Sequence, residues 1–474
     1  MKFRSESWYA LVMKAQALPE KDLPPAPPLR RLIGPSFIIL GLGLGSGEVI
    51  LWPYLASNYG LGLVWGMLLG ITMQYFINME VVRYALVRGE SIFVGFARLG
   101  RWLPLWFILT TFFGFGWPGI GVAGATLLGN ILGWSDIRLL AIGILLAAGA
   151  ILTIGAVVYQ TVETLQKWLI GIGVPLIVLL TLYLVSASDI IDLGRGLIGQ
   201  GRGFRFLPEG LSLATFLGAL AFAGAGGNLN LAQSFYVRDK GYGMGKYAER
   251  ITSVLTGKQS ARPVRLTGTT FPMNAGNLRR FHKWWQAVNL EHALIFWGLG
   301  LLTMLTLSLL AYITAYGNPD NKEGIAFVLN EAAMIGTRTL PFIGVLFLIV
   351  TGVMLSATQL TVLDSTSRIM AENVLLLGHQ KKQNISRTYY AILWLQILFG
   401  IAVIGAGFTQ PRELITLSAV INAFTMFSYT GILFYVSNRM LPREVRPNWI
   451  RNLALIASFC FLGYFCAMTV LAFN

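Results

Sequence analysis

The chain has 474 residues, of which 55% are hydrophobic and only 12% are charged, and its formal net charge is +15. A soluble chain of this length usually carries about twice that charged fraction, so the composition excludes an ordinary soluble protein. Apolar runs of roughly 20 residues recur along the chain, and each can cross about 30 Å of hydrocarbon as a helix. We therefore expect an all-α integral membrane protein. The long apolar runs differ from the alternating pattern of an outer-membrane barrel.

Eleven apolar spans follow one another in chain order. They begin after a polar, proline-rich segment at 1–33, which does not resemble a cleavable signal peptide. No soluble module interrupts them, so the spans predict a single membrane domain. The predicted spans lie near residues 34–56, 60–82, 103–132, 139–159, 165–187, 211–236, 288–316, 340–366, 388–408, 411–437 and 452–472.

Lysine and arginine are distributed unevenly between the loops. With the N-terminus in the cytoplasm, 29 of the 36 basic residues fall on the cytoplasmic side, as the positive-inside rule requires. The longest loop, residues 238–286, carries ten of them and includes an amphipathic stretch at 277–286, which we expect to be a solvated loop on the membrane surface. The basic charge thus orients the chain and offers contacts to anionic lipid, and we expect no nucleic-acid partner. The compact loops favour a bacterial inner (plasma) membrane.

The residue types that build catalytic centres are sparse and scattered. The three histidines, His282, His292 and His379, lie far apart, near span ends or in loops. We therefore expect no cofactor, no catalytic residues and no enzyme activity. Glu291 and His292 begin the seventh span near the membrane surface. We expect this imidazole to be solvated, and a proton relay is the alternative.

Glycine clusters in the first and sixth spans predict broken helices. Residues 41–53 read GLGLGSGEVILWP, and residues 221–233 read AFAGAGGNLNLAQ. Each glycine in a helix interior weakens the helix by about 1 kcal/mol relative to alanine, and unwound backbone at membrane depth is tolerated only where it lines a cavity. Both breaks should therefore face one substrate site. The residues expected to line it are Gly45, Ser46, Gly47, Glu48, Ala225, Gly226, Gly227, Asn228, Asn230 and Gln233.

The positions of the two breaks predict an inverted repeat. Two five-span halves, each opening with a broken helix, are typical of secondary transporters. The first repeat would cover residues 34–187, the second would cover 211–437, and an additional helix would lie at 452–472. The alternative is that the glycines only permit close helix packing.

Glu48 is the strongest candidate for a functional side chain. A lone carboxylate at membrane depth usually faces a cavity and has a function, so we expect it to bind a cation or to carry a coupling proton. The alternative is a structural salt bridge or a helix cap. Asn228 supplies an amide oxygen and is the second candidate metal ligand. With Asn230 and Gln233 it forms an amide set that would otherwise cap the half-helix.

Two acid–base pairs have helical spacing. Glu80 and Arg83 are three residues apart in the second span, and Asp364 and Arg368 are four apart in the eighth. Side chains at these spacings meet on one helix face. We expect two intrahelical ion pairs, and both are candidate gates.

Several motifs together resemble the Nramp family of divalent-metal transporters, which share the leucine-transporter fold. Their order and spacing cover most of the chain, and twelve residues separate Glu48 from Gly60, as in the family. The resemblance implies about eleven transmembrane helices in a 5+5 inverted repeat with broken helices one and six. The other matching stretches are Gly34–Phe37, Val82–Gly89, Glu163–Leu169, Leu355–Asp364 and Arg368–Asn373.

The chain departs from this family at the metal-binding positions. The family's first-helix motif Asp-Pro-Gly-Asn is replaced by residues 45–48, GSGE, and its sixth-helix motif Met-Pro-His-Asn by residues 225–228, AGGN. Ala419 stands where the family has a metal-contacting glutamine. Trp117 and Ile120 stand at about the positions of acidic residues on the family's proton route. The scaffold is kept, and the soft thioether and imidazole ligands are lost.

Three functions follow from this mixture. A wider, oxygen-lined site suits a small cation such as hydrated Mg²⁺, or Mn²⁺. Alternatively, the substrate is a small organic solute, such as an amino acid or an amine. The backbone N–H groups of Gly45 to Gly47 would then face the carboxylate of an amino acid, and Glu48 would bind the amine end. A channel or a non-transporting receptor on the same scaffold is the third. We expect a secondary-active transporter that moves a cation by alternating access.

Overall fold

The computed structural model describes residues 18–28, 32, 34–45, 47–154, 158–248, 266–378 and 385–472. Within these ranges the chain is helical, and its strand-like pairings are two isolated β-bridges, Glu20 with Thr270 and Gln200 with Arg205. The helices are α1 (Pro35–Gly43), α2 (Trp52–Tyr59), α3 (Trp65–Arg88), α4 (Ile92–Leu99), α5 (Leu103–Phe115), α6 (Gly119–Leu132), α7 (Arg138–Ile154), α8 (Val158–Leu184), α9 (Ala187–Leu197), α10 (Leu213–Ala221), α11 (Leu229–Lys240), α12 (Ala275–His292), α13 (Gly300–Ala315), α14 (Ala326–Arg338), α15 (Pro341–Leu377), α16 (Ile385–Gly405), α17 (Pro411–Arg439) and α18 (Trp449–Ala472). Two π-helical segments join α1 to α2 and α12 to α13: a first at Gly47–Leu51 and a second at Ala293–Leu299.

Nine helical segments of the described ranges are long and apolar enough to cross a membrane, which confirms an all-helical integral membrane protein. Two of the eleven predicted spans are not among them. The span predicted at 139–159 corresponds to α7, whose 17 residues measure about 25 Å at about 1.5 Å per residue. The span predicted at 211–236 is divided between α10 and α11, with 9 and 12 residues, because its glycines interrupt it.

The predicted loop at 238–286 is wrong at both ends. Helix α11 continues to Lys240, and α12 begins at Ala275, so the amphipathic stretch 277–286 is the start of a continuous 41-residue helix that ends at Ala315. One face of this stretch packs against the N-terminal segment. Trp284 donates a hydrogen bond to the Pro24 carbonyl, and the Asn277 side chain contacts Leu23 and Asp22. Burial of that face stabilises helix where hydropathy alone indicated a solvated loop.

The broken first helix lies at the centre of the protein. The most apolar stretch of Pro35–Tyr59 is completely buried, whereas only 28% of the corresponding stretch of Gln160–Leu184 is. Helix α1 packs on α8, α11, α15 and the second π-helical segment, while α2 packs on α13. In turn, α10 packs on α17, and α11 on α3. The two breaks are therefore surrounded by unbroken helices that shield the exposed backbone from lipid.

Candidate functional site

The first break is built by glycines that allow close approach. Helix α1 ends at Gly43, Ser46 lies outside the described residues, and the chain resumes helically at Gly47. A Cβ on Gly45 would lie 2.5 Å from Cβ of Thr358 on α15, and a Cβ on Gly47 would overlap the Phe222 carbonyl. The two glycines thus let the break contact α15 on one side and the second break on the other.

The second break is an unwound segment between α10 and α11. Gly224, Gly226 and Gly227 have φ angles of 143°, 75° and 48°. L-residues with a side chain rarely adopt these conformations, and glycine adopts them without steric cost. The glycine cluster therefore permits the unwound backbone, and the chain re-enters a helix at Leu229 with Asn228 at its N-cap.

Side chains of neighbouring helices satisfy the backbone of both breaks. Gln74 of α3 donates to the Ala221 carbonyl at 3.0 Å, and its Oε1 accepts from the Gly226 N–H at 3.0 Å. The Thr358 hydroxyl of α15 donates to the Gly41 carbonyl at 3.0 Å. Gln74 and Thr358 were not among the predicted site residues, although each is a polar residue within an apolar span and was recognisable by that signal.

Glu48 is fully buried in the first π-helical segment. Neither of its carboxylate oxygens has a hydrogen-bond partner among the described residues. Two glycines lie next to this carboxylate: a Cβ on Gly43 would lie 3.1 Å from Oε1, and a Cβ on Gly300 would lie 3.7 Å from it. The carboxylate therefore points toward α1 and the start of α13, in space that two glycines leave open.

The amide side chains of the second break are anchored through their nitrogens. Asn228 Nδ2 donates to the hydroxyls of Thr110 and Thr111 on α5, both at 2.9 Å. Asn230 Nδ2 lies 3.1 Å from the Tyr429 hydroxyl of α17. Asn228 makes no side-chain cap bond, so its polar role is with α5 and not with the end of its own helix.

The amide oxygens are left without donors. Among the described residues, the oxygens of buried carboxylate and amide groups near the two breaks have no hydrogen-bond partner. A buried acceptor without a donor costs about 1–3 kcal/mol. The region is therefore rich in acceptors and suited to a ligand that presents donors or positive charge. The oxygens concerned belong to Glu48, Asn228, Asn230, Gln233 and Asn422.

The structure places Glu48 and Asn228 in different surroundings. Glu48 faces α1 and α13, whereas Asn228 is held against α5. Within the described part of the chain, no group of three or more His, Cys, Asp and Glu side chains is placed to hold a metal ion. Any ion bound between the breaks would therefore depend on amide, carbonyl and water oxygens besides this single carboxylate.

A very small cavity of about 10 Å³ lies beside the second break. Trp117 and Ile120, in the third predicted span, contribute to its wall, and so does Phe222, whose ring stacks on Phe115 at 5.9 Å. Gln359 also lines the cavity and accepts a hydrogen bond from the Gly121 N–H at 3.0 Å. The cavity wall is therefore largely aromatic and aliphatic, with few polar groups.

Both predicted ion pairs form. Arg83 Nε lies 2.6 Å from Glu80 Oε2, and Arg368 Nε lies 2.8 Å from Asp364 Oδ1. All four side chains are buried, and the second pair is part of a larger network. This network, hereafter the α11–α15 ion cluster, comprises Arg238, Asp239, Asp364, Arg368 and Glu372. It ties the half-helix α11 to α15, and a gating role for it stays a prediction.

His292 is buried, contrary to the expected solvated position. Its exposed fraction is 1%, and that of Glu291 is 4%. Both contact Ser36 at the start of α1. The prediction was wrong because the helix extends well before 288, which places these residues inside the bundle.

Comparisons with known proteins give no family assignment. No protein-family model and no curated protein matches the sequence. Solved structures do match. A manganese transporter from Eremococcus coleocola superposes with a TM-score of 0.64 at 11% identity, over 99% of this chain and 88% of that chain. Mhp1, a nucleobase-cation-symport-1 family transporter in a closed conformation with bromovinylhydantoin bound, gives 0.54 at 13% identity, over 92% and 89%.

A third neighbour has an organic ligand. MhsT in complex with L-phenylalanine superposes with a TM-score of 0.55 at 13% identity, over 92% of this chain and 97% of that chain. These neighbours share the leucine-transporter fold, so the predicted fold is confirmed. At such identities the likeness shows the fold alone, and the resemblance to Nramp remains a suggestion of family.

Proposed function

We propose that this protein is a secondary-active transporter that binds a small cation between the two broken helices and moves it by alternating access. The leucine-transporter fold of its structural neighbours supports transport, because ligand sites of such folds lie where half-helices meet. The charge asymmetry of the loops supports an N-terminus in the cytoplasm. Hydrated Mg²⁺ or Mn²⁺ is the leading substrate.

The excess of buried oxygen acceptors is the observation that favours a cation. Among the described residues, the amide oxygens of Asn228, Asn230 and Asn422 and the carboxylate of Glu48 have no hydrogen-bond donor. The water ligands of a hydrated ion present O–H donors outward, and Mg²⁺ gives up its waters reluctantly. Amide, carboxylate and water oxygens also suit Mg²⁺ and Mn²⁺ better than softer metals. Glu48 would compensate the ion's charge and exchange it for a proton.

A small organic solute is the second candidate. An ammonium group also supplies donors to the same oxygens, and the cavity beside them has aromatic walls formed by Phe115, Trp117 and Phe222. Two structural neighbours are complexes with organic molecules, bromovinylhydantoin and L-phenylalanine. An amino acid or amine would place its charged nitrogen toward the oxygens and its apolar part toward these rings.

A ligand screen by thermal shift tests the site first. Wild type, Glu48→Gln and Glu331→Gln would each be heated with Mg²⁺, Mn²⁺, Ca²⁺, zwitterionic amino acids and small amines. A ligand that binds only the folded state raises Tm. Glu331 is the matched control, because it is also a buried carboxylate but lies on α14, which packs mainly on α15 and α13.

The outcomes of the screen separate the two substrates. A rise in Tm with Mg²⁺ or Mn²⁺ that is lost in Glu48→Gln and kept in Glu331→Gln supports the cation. A rise with amino acids or amines alone would transfer the assignment to an organic solute. If Glu48→Gln responds like wild type to every ligand, the carboxylate is not part of the site.

Transport itself is tested in proteoliposomes. Saturable uptake of the stabilising ligand, with counterflow when the vesicles are preloaded, is expected of a carrier. Single-channel currents would identify a channel. Binding without uptake or currents would identify a receptor on a transporter scaffold.

A further inference from the structure

A second buried carboxylate lies at the opposite end of α1 from Glu48. The Ser36 hydroxyl donates to Glu291 Oε2 at 2.5 Å and lies 2.8 Å from His292 Nδ1. All three side chains are at most 4% exposed. The serine therefore bridges a carboxyl group and an imidazole in the protein interior, and we call these three residues the Ser–Glu–His cluster.

The geometry of the cluster is fixed by its neighbours. The His292 ring is stacked between Tyr75 at 5.6 Å and Phe296 at 4.6 Å between ring centres. Within the described residues, His292 Nε2 and Glu291 Oε1 have no hydrogen-bond partner. The hydrogen-bonded chain therefore has two free ends, one on the imidazole and one on the carboxyl group.

The cluster also holds the start of the first half-helix. The Glu291 carboxylate lies beside the backbone of Gly34 and Ser36, at the helix end where partial positive charge favours an anion. The second π-helical segment begins directly after His292 and ends beside Gly300, the residue that faces Glu48. Such π-helical insertions are frequent at functional sites.

We propose that the Ser–Glu–His cluster is a proton-binding relay whose charge controls the attachment of α1. In the unprotonated form, Glu291 is a carboxylate, Ser36 donates to it, and His292 Nδ1–H donates to Ser36. A proton that arrives at Nε2 shifts the Nδ1 proton to the Ser36 oxygen and the Ser36 proton to Glu291. Each atom keeps its normal valence, and the cluster passes from a net charge of −1 to zero.

Proton binding weakens the anchor at the start of α1. A neutral carboxyl group interacts more weakly than a carboxylate does with the Ser36 hydroxyl and with the positive end of α1, because charge-assisted hydrogen bonds are about twice as strong as neutral ones and this helix end favours an anion. The half-helix would then be freer to move. A role in coupling transport to protons rests on the proposed transport function, whereas proton binding itself does not.

Charged groups from three other elements face the cluster. Lys240 at the end of α11 and Tyr242 lie toward Glu291, and Lys240 binds Glu163 of α8 at 2.7 Å. Arg451 of α18 faces His292 and binds Glu80 at 3.3 Å. Both cations thus have carboxylate partners on other helices.

Hydrogen exchange of the α1 amides tests the proposal without any substrate. Peptides covering residues 34–43 would be followed from about pH 8 to about pH 5.5, across the range where histidine titrates, after correction for chemical exchange. We expect wild-type exchange to rise by about tenfold, the factor that one unit of differential proton affinity gives. Glu291→Gln should exchange fast at both pH values, and Glu331→Gln should follow wild type.

Two further measurements keep the test decisive. Acidification should produce an infrared band of a protonated carboxyl group in wild type that Glu291→Gln lacks. If Glu291→Gln does not fold, Ser36→Ala replaces it, since loss of the bridge should remove most of the pH response. A pH-independent wild type, or Glu291→Gln or Ser36→Ala variants that respond to pH as wild type does, would overturn the proposal. A negative ligand screen beside a positive exchange result would refute only the proposed transport site.

Discussion

The Arg368 guanidinium lies 2.6 Å from the Asp239 carboxylate, and both side chains are 1% exposed. The contact joins the end of α11, the second half of a broken helix, to the unbroken α15. Around it the α11–α15 ion cluster adds Arg238 and Glu372 at 3.0 Å. Buried ion pairs therefore hold the C-terminal end of α11, the half-helix that begins at Asn228, against α15.

Asp239→Asn should lower the free energy of unfolding by about 3–5 kcal/mol, because the buried Arg368 loses the charge of one of its two carboxylate partners. Unfolding in detergent, followed by circular dichroism, measures this. Asp136→Asn is the control, since the pair of Asp136 with Arg138 is exposed on both sides and should matter by less than about 1 kcal/mol. Equal effects of the two variants would contradict a structural role for the cluster.

Gly45→Ala should abolish the ligand-induced rise in Tm and lower stability. The added methyl would lie 2.5 Å from Thr358 Cβ, which forces the first break away from α15. Gly143→Ala on α7 is the matched control, because no atom of another described helix lies within 4 Å of its new methyl. That control should be neutral or up to about 1 kcal/mol more stable. Wild-type ligand response in Gly45→Ala would show that the glycine is not needed for close approach.

Gln74→Ala should destabilise the protein by about 1–3 kcal/mol, the range for buried polar groups left without partners. The substitution removes the bonds to Ala221 and Gly226 across the second break. Faster amide exchange at 221–228 would locate the effect. Gln160→Ala, at an exposed position of α8, serves as the control, and similar stability of the two variants would argue against support of the break by α3.

Glu331→Gln tests a buried carboxyl group outside the membrane-spanning helices. Burial raises the pKa of Glu331 well above its usual range, so the folded state keeps this proton to a higher pH than the unfolded chain does. The stabilisation from this group is fully present below the pKa that the group has in the unfolded chain. It is lost as the pH rises from there through the higher pKa of the folded state. The Tm of Glu331→Gln should match that of wild type at about pH 4 and should exceed it at about pH 8. At the higher pH the unfolded chain releases this proton and the buried wild-type carboxyl group destabilises the folded state, whereas glutamine does not titrate.

The control for that pH series is Glu323→Gln, at an exposed site just before α14. Its Tm difference from wild type should be the same at both pH values. A Glu331→Gln curve parallel to wild type would mean that the carboxyl group is not held neutral by burial.

Much of the architecture was predictable because it follows from hydropathy and glycine content. Apolar runs predicted the membrane helices, and the clusters around Gly45 and Gly226 predicted two breaks, since dense glycine is incompatible with a stable helix interior. The spacing of Asp364 and Arg368 likewise predicted a contact within one helix. The Asp239 contact of Arg368 spans 129 residues, and no local pattern indicates it.

Local patterns also misplaced residues whose environment is made by distant segments. The stretch 277–286 was interpreted as a loop because the face that packs against residues 22–24 belongs to another part of the chain. His292 was expected in water, and the length of the continuous helix buries it beside Ser36. Thr110 and Asn422 were polar residues in apolar spans, and only the packing of α5 and α17 against the second break places Thr110 on Asn228 and Asn422 beside Gly227.

The sequence by itself determined the helical membrane class, the two breaks and the presence of one acid, Glu48, in the first of them. These depend on residue type and on spacing along one helix. The tertiary structure decided which oxygens meet between the breaks, which side chains satisfy the unwound backbone and which carboxyl groups are buried together. Such contacts join residues more than 100 positions apart, such as Asn228 and Thr111, and only the packing of whole helices brings them within hydrogen-bonding distance.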